Sequence, residues 1–103
     1  MTFTTFIDMH SGGGTKIKPY EYIFIELPEY LAIPFFEKKF RRDPSNVTCN
    51  CCGDDYSISE HETLAKATEY DRKGWRPTGL EISLEEYILR PDVLVIRKDE
   101  IDL

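Results

Sequence analysis

Tyr20-Glu-Tyr-Ile-Phe-Ile-Glu-Leu27 decides the fold class of this 103-residue chain. Aromatic and β-branched residues fill it, the composition of a pleated, packed strand. Upstream, residues 3–9 alternate, with Phe3, Thr5, Ile7 and Met9 on one side and Thr4, Phe6 and Asp8 on the other. That period of two predicts a second strand. His10 to Pro19, with Ser11, Gly12, Gly13, Gly14, Thr15 and Lys16, is expected to be a flexible loop joining the two as a hairpin.

Downstream the period changes. Pro28 ends the strand, and Ala32, Phe36 and Phe40 recur at four-residue spacing beside Leu31 and Phe35. One apolar face over Glu29 to Arg42 predicts a helix. Lys38, Lys39, Arg41 and Arg42 fall in its last turn, where cations suit the helix dipole. Pro34 disfavours helix at Ile33 and removes a donor, so a regular helix is expected only from about Pro34 onward, after a turn or kinked segment. Asp43 to Asn46 reads as a turn.

Val47-Thr48-Cys49 is expected to be a short strand entering a turn made by Asn50-Cys-Cys-Gly-Asp-Asp-Tyr56. Ser59 and Glu62 match a capping box, predicting a helix from Ser59 to about Lys73 that stops at Gly74. Its Leu64, Ala67 and Thr68 form a small face suited to packing on a sheet. Ser83 and Glu86 repeat the box before a short helix Leu84–Leu89, which must end ahead of Pro91. Val93-Leu-Val-Ile-Arg97 is an apolar run expected to be a strand covered on both faces, followed by a frayed tail. These elements predict one α+β domain over residues 1–103: a mostly antiparallel sheet of about four strands with two to three helices packed against it.

Apolar residues make up 41% and aromatic residues 13%, enough for a folded core. The net charge of −6 opposes non-specific nucleic-acid binding and suits a basic partner. No apolar run approaches the roughly 18 residues of a membrane span, and the first residues lack the charged and apolar regions of a secretory signal. Three cysteines cannot complete an internal disulfide set, and adjacent Cys51 and Cys52 are poor partners for each other. The expected compartment is a reducing cytoplasm.

Three stretches could carry function. Cys49, Cys51 and Cys52, with His61 beyond them, offer three thiolates and an imidazole to Zn²⁺. Structural zinc sites usually draw ligands from two separated knuckles, so the alternative is inward-packed thiols around a turn at Gly53. A catalytic thiolate is disfavoured, because Asp54, Asp55, Glu60 and Glu62 surround it and negative charge raises a thiol pKa. Gly12, Gly13 and Gly14 with Lys16 and Lys18 could bind a phosphate through backbone amides, hence a nucleotide, although the P-loop order is absent. Asp54, Asp55 and Tyr56 supply an acidic, aromatic surface for a partner, against the reading of a solvated turn.

The glycine loop, Tyr22-Ile-Phe-Ile-Glu26, Val47-Thr-Cys-Asn-Cys-Cys-Gly-Asp-Asp-Tyr-Ser57, Leu64-Ala-Lys-Ala-Thr-Glu-Tyr-Asp-Arg72 and Leu84-Glu-Glu-Tyr-Ile-Leu-Arg-Pro-Asp-Val-Leu-Val-Ile96 occur in an order that resembles a family of small uncharacterised bacteriophage-encoded proteins. Its most specific part is the Cys-x-Cys-Cys-Gly-x-Asp-Tyr-Ser core. The resemblance implies a phage origin and a bacterial host cytoplasm, and it carries no catalytic residues over. The sequence thus favours a non-enzymatic binding module for a host or phage protein, with zinc binding and nucleotide binding as alternatives.

Overall fold

The computed structural model describes residues 2–9, 17–45, 55–73 and 82–101. A four-stranded mixed sheet in the order β3-β1-β2-β4 forms its centre. β1 (Phe3–Asp8) pairs antiparallel with β2 (Tyr22–Ile25) on one side and with β3 (Tyr56–His61) on the other. β4 (Val93–Ile96) pairs parallel with β2. The expected α+β domain is therefore present, with one parallel edge on an antiparallel core.

Helices cover both faces. Phe6, Ile23, Ile25, Tyr56 and Ile96 pack with Ala32 and Phe36 of α1 (Glu29–Phe40) on one side. Phe3, Phe24 and Val93 pack with Leu64 of α2 (Leu64–Lys73) and Tyr87 of α3 (Leu84–Ile88) on the other. Because β1 is central, Phe3, Thr4, Thr5, Phe6 and Asp8 are all buried. Its polar alternation does not mark a wet face. Thr4 Oγ1 is satisfied by the Leu27 carbonyl at 2.9 Å, while Thr5 Oγ1 has no partner among the described residues.

Three expectations need correction. The largest concerns residues 56–61, assigned above to a turn and the start of a helix, which form β3 instead. The Ser59/Glu62 capping box does not form. Ser59 pairs with Thr5 in the sheet, and Glu62 forms an ion pair with Lys66 at 3.2 Å. Thr63 caps α2, its Oγ1 accepting from Lys66 N at 3.1 Å. A cap contributes about 1 kcal/mol. Pairing six residues with β1, and burying Tyr56 between the sheet and α1, outweighs it. The short strand expected at Val47–Cys49 lies outside the described residues, as do Gly74 and the following connection.

Secondly, α1 is helical from Glu29 through Pro34, with Leu31 N and Ala32 N both donating to the Pro28 carbonyl. Two features hold this first turn. Ala32 is fully buried against the sheet, and Glu29 N donates to Glu60 Oε2 of β3 at 2.7 Å, a carboxylate cap supplied from another element. Pro34 is exposed, and the carbonyl it leaves without a helical donor belongs to Tyr30, itself 75% exposed, where water can serve it.

Thirdly, the expected frayed tail begins as an ordered 3₁₀ turn over Lys98–Glu100, with Lys98 N donating to Glu26 Oε1 at 2.9 Å and Ile101 packed on the core. β4 is covered on both faces as expected, Ile96 and Leu94 packing on the α1 side and Val93 and Val95 on the α2/α3 side. The shorter α3 is capped as expected, Glu86 N donating to Ser83 Oγ at 3.2 Å.

Phe36 is the keystone of the α1 side. Its ring stacks on Phe6 at 4.6 Å and meets Phe40 and Tyr56 at 4.8 and 5.1 Å. Phe36→Ala is expected to cost about 3–5 kcal/mol in urea unfolding. Thr5→Val replaces a buried, unpartnered hydroxyl by a methyl of similar shape and is expected to stabilise by about 1 kcal/mol. A loss under about 1 kcal/mol at Phe36, or destabilisation at Thr5, would contradict this packing.

Candidate functional site

The register of β1 and β3 determines what stands at one end of the sheet. Asp8, the last residue of β1, faces Tyr56, the first of β3. One step beyond, Met9 N donates to the Asp55 carbonyl at 3.0 Å. On the other side of β1, Asp8 N donates to the Glu21 carbonyl at 2.9 Å, and Glu21 N donates to the Asp92 carbonyl at 2.9 Å. Asp8, Glu21, Asp55 and Asp92 thus share this end.

Met9 borders the stretch with Gly12, Gly13, Gly14 and Lys16, while Asp55 borders the stretch with Cys49, Cys51, Cys52 and Asp54. Those eight residues lie outside the described ones. Their flanks are hydrogen-bonded neighbours, so the two stretches, far apart in sequence, leave from the same place.

Two carboxylates at this end are buried. Asp8 and Asp55 are each 3% exposed, and burying charge is costly without compensation. Arg42 supplies some of it, with Nη1 at 3.9 Å from Asp55 Oδ2. It reaches there because α1 ends at Arg41 in the left-handed conformation (φ 54°, ψ 42°), which turns the chain back at a cost of about 1 kcal/mol. Asp43 then closes a tight turn, its Oδ1 accepting from Ser45 N at 2.9 Å and Ser45 Oγ at 2.8 Å. These two bonds hold the Asp43 carboxyl below its usual range.

Tyr56 is buried beside the same groups. Burial pushes its hydroxyl pKa well above the ordinary tyrosine value, and the Asp8 charge adds to the effect while Arg42 partly offsets it. The phenol therefore stays neutral, a hydrogen-bond donor and not a base. Asp55 and Tyr56, expected as partner-binding residues, stand beneath the surface and support it.

A second polar group occupies the same sheet end on the α2/α3 side. Arg90 grips Asp92 through Nε–Oδ1 at 3.1 Å and Nη2–Oδ2 at 2.7 Å. Its guanidinium also lies over the rings of Tyr87 and Tyr22, at 5.3 and 5.8 Å. Tyr87 donates to Asp71 Oδ2 at 3.1 Å. Burial, then the Asp71 and Glu21 charges, pushes Tyr22 up to about 12, and burial with Asp71 pushes Tyr87 higher still. Arg72 ties α2 to the segment before α3, donating to Thr68 Oγ1 at 2.9 Å and Ala65 O at 3.0 Å, while its own carbonyl accepts from Ile82 N at 3.1 Å.

His61 stands apart. It lies at the far end of β3 from Tyr56, about 17 Å along the strand, opposite Phe3. Its Nε2 is 3.0 Å from Ser59 Oγ. The structure therefore brings together the flanks of the glycine and cysteine stretches but does not bring His61 to that end. Among the described residues no group of three or more His, Cys, Asp or Glu side chains is arranged to hold a metal ion.

Sequence reasoning missed Asp8, Arg42 and the Tyr22–Tyr87–Arg90 group. Asp8 carried a signal, because it shares the face of Phe6 in an alternating strand, where a carboxylate must be buried. Arg42, read as one of the cations in the last turn of the first helix, carried none. No family model, curated protein or solved structure matches this chain.

The tyrosines give a pH expectation. Their folded pKa values lie above the unfolded value of about 10, so the stability they confer is complete below pH 10 and is lost as pH rises toward and past 12. Phenolate absorbance near neutral-to-alkaline pH should show these three titrating only together with unfolding, and Tyr87→Phe should flatten the alkaline stability loss. Ionisation of all tyrosines near pH 10 in a folded chain would contradict the assignment.

Proposed function

We propose that this chain is a small non-enzymatic binding module, a phage accessory protein that engages a basic protein partner in the host cytoplasm. The reading rests on one observation: the Met9–Asp55 hydrogen bond and the Asp8/Tyr56 pairing join the flanks of the glycine and cysteine stretches. Met9 and Asp55, the described residues nearest the stretches with Gly12, Gly13, Gly14, Lys16 and Asp54, thus meet on one acidic base. The net charge of −6 favours a basic partner through complementarity and steering. Described titratable groups at this end are paired or buried, which suits a scaffold better than an acid–base pair that must exchange protons.

Affinity capture from a bacterial lysate tests it. Asp54→Lys reverses one charge of the cysteine stretch while leaving the buried Asp8 and Asp55 in place, and should lower recovery of a basic protein at least about fivefold. Recovery unchanged by Asp54→Lys, or recovery only of acidic proteins, would place the contact elsewhere. The zinc alternative on Cys49, Cys51, Cys52 and His61 makes a separate demand. Protein purified without chelator should then carry near-stoichiometric zinc, whereas the binding-module reading expects less than about half an equivalent.

A further inference from the structure

α1 turns Ala32 and Phe36 toward the sheet, and its opposite side carries Tyr30, Pro34 and Lys38 in one line at four-residue spacing. Leu31 lies beside that line, and Lys39 and Arg41 stand at its end. All six are exposed, Tyr30 at 75% and Leu31 at 40%. The first half of this face is therefore apolar and the second half cationic.

Neither half is used within the fold. Among the described residues no carboxylate lies within ion-pair distance of Lys38, Lys39 or Arg41, although Glu37 stands four residues before Arg41. Asp43, the next acid along the chain, is engaged by Ser45 N and Ser45 Oγ. In the apolar half, Pro34 withholds the donor that the Tyr30 carbonyl would take one turn on, so an acceptor stands open between the exposed side chains. The helix dipole accounts for cations in the last turn. It does not account for a tyrosine, a leucine and a helix-weakening proline on the outward face that leads to them. Departures from local rules gather where a surface is used.

We propose that this face of α1 docks an acidic, amphipathic segment of a protein partner, with its carboxylates on Lys38, Lys39 and Arg41 and its apolar side chains on Tyr30, Leu31 and Pro34. Tyr30 to Arg41 spans about 17 Å of helix, matched by about three turns of a partner helix or about five residues of an extended strand. Charge complementarity selects the acidic occupant, and the charge balance of the whole chain selects a protein over other polyanions. A nucleic acid or an anionic bilayer presents an extended field that repels a chain of net charge −6, and three cations neutralise too few phosphates to hold it. A short acidic segment meets only the local field, because screening confines it to about 8–10 Å. The surface is distinct from the sheet end proposed above for a basic partner, so either can fail alone.

An amide NMR titration of the full chain with a short synthetic peptide, glutamates around a central leucine pair, tests the proposal. Amide shifts should concentrate over residues 30–41 and shrink as salt is raised. Lys38→Glu removes a cationic contact and Tyr30→Ala an apolar one. Both change exposed side chains, so the chain stays folded, and each should weaken the peptide about fivefold. Absence of shifts over residues 30–41 at millimolar peptide, or binding that ignores either substitution, overturns the proposal. So does a stronger response of the same amides to phosphatidylserine vesicles or to oligothymidylate, which would assign the face to a membrane or a nucleic acid.

Discussion

β1 is hydrogen-bonded on both sides, and most of this structure follows from that. A strand of six residues flanked by β2 and β3 has no wet edge and no wet face, because α1 lies against one side of the sheet and α2 with α3 against the other. Phe6 reaches α1 and stacks on Phe36, while Phe3 reaches the opposite layer beneath the Arg97 guanidinium, 5.8 Å from its ring. The same strand ends in Asp8, so its register also sets which groups meet at the sheet end.

Burial of both faces explains the polar interior. The central strand, covered on both faces, carries two threonines and an aspartate inward. Arg42, Tyr56 and the neighbouring backbone lie around the acidic groups on one side. Arg90, Tyr22, Tyr87 and Asp71 form a second network on the other. Removing one member of such a buried network costs more than the pair itself contributes. The sheet end is therefore stiff, a property that suits a surface used for recognition, where ordering on binding would reduce affinity.

Much of the architecture was legible in the residues. Period-two alternation located β1, aromatic and β-branched composition located β2, the four-residue recurrence of Ala32, Phe36 and Phe40 located α1, and the uninterrupted Val93–Ile96 run located β4. The failure at Ser59–Glu62 is instructive, because two local signals competed there. A capping-box pattern spoke for helix, while Tyr56, Ile58 and Glu60 alternating with Ser57, Ser59 and His61 spoke for strand. The partner that decided between them, β1, lies some fifty residues away. Cross-strand pairing is non-local, so no window around Ser59 reveals it. The candidate site was half legible for the same reason. Its segments were conspicuous by composition, but their joining depends on the β1–β3 register, and the reach of Arg42 depends on the left-handed turn at Arg41.

The β1–β3 register is the claim on which the fold and the site both rest, and NMR reads it directly. The account predicts cross-strand nuclear Overhauser contacts that pair Phe6 with Ile58 and Asp8 with Tyr56, extended-chain Cα shifts over residues 56–61, and a slowly exchanging Met9 amide. Helical shifts beginning at Ser59, with no contact between that segment and β1, would contradict it. The glycine and cysteine stretches would then have no common base.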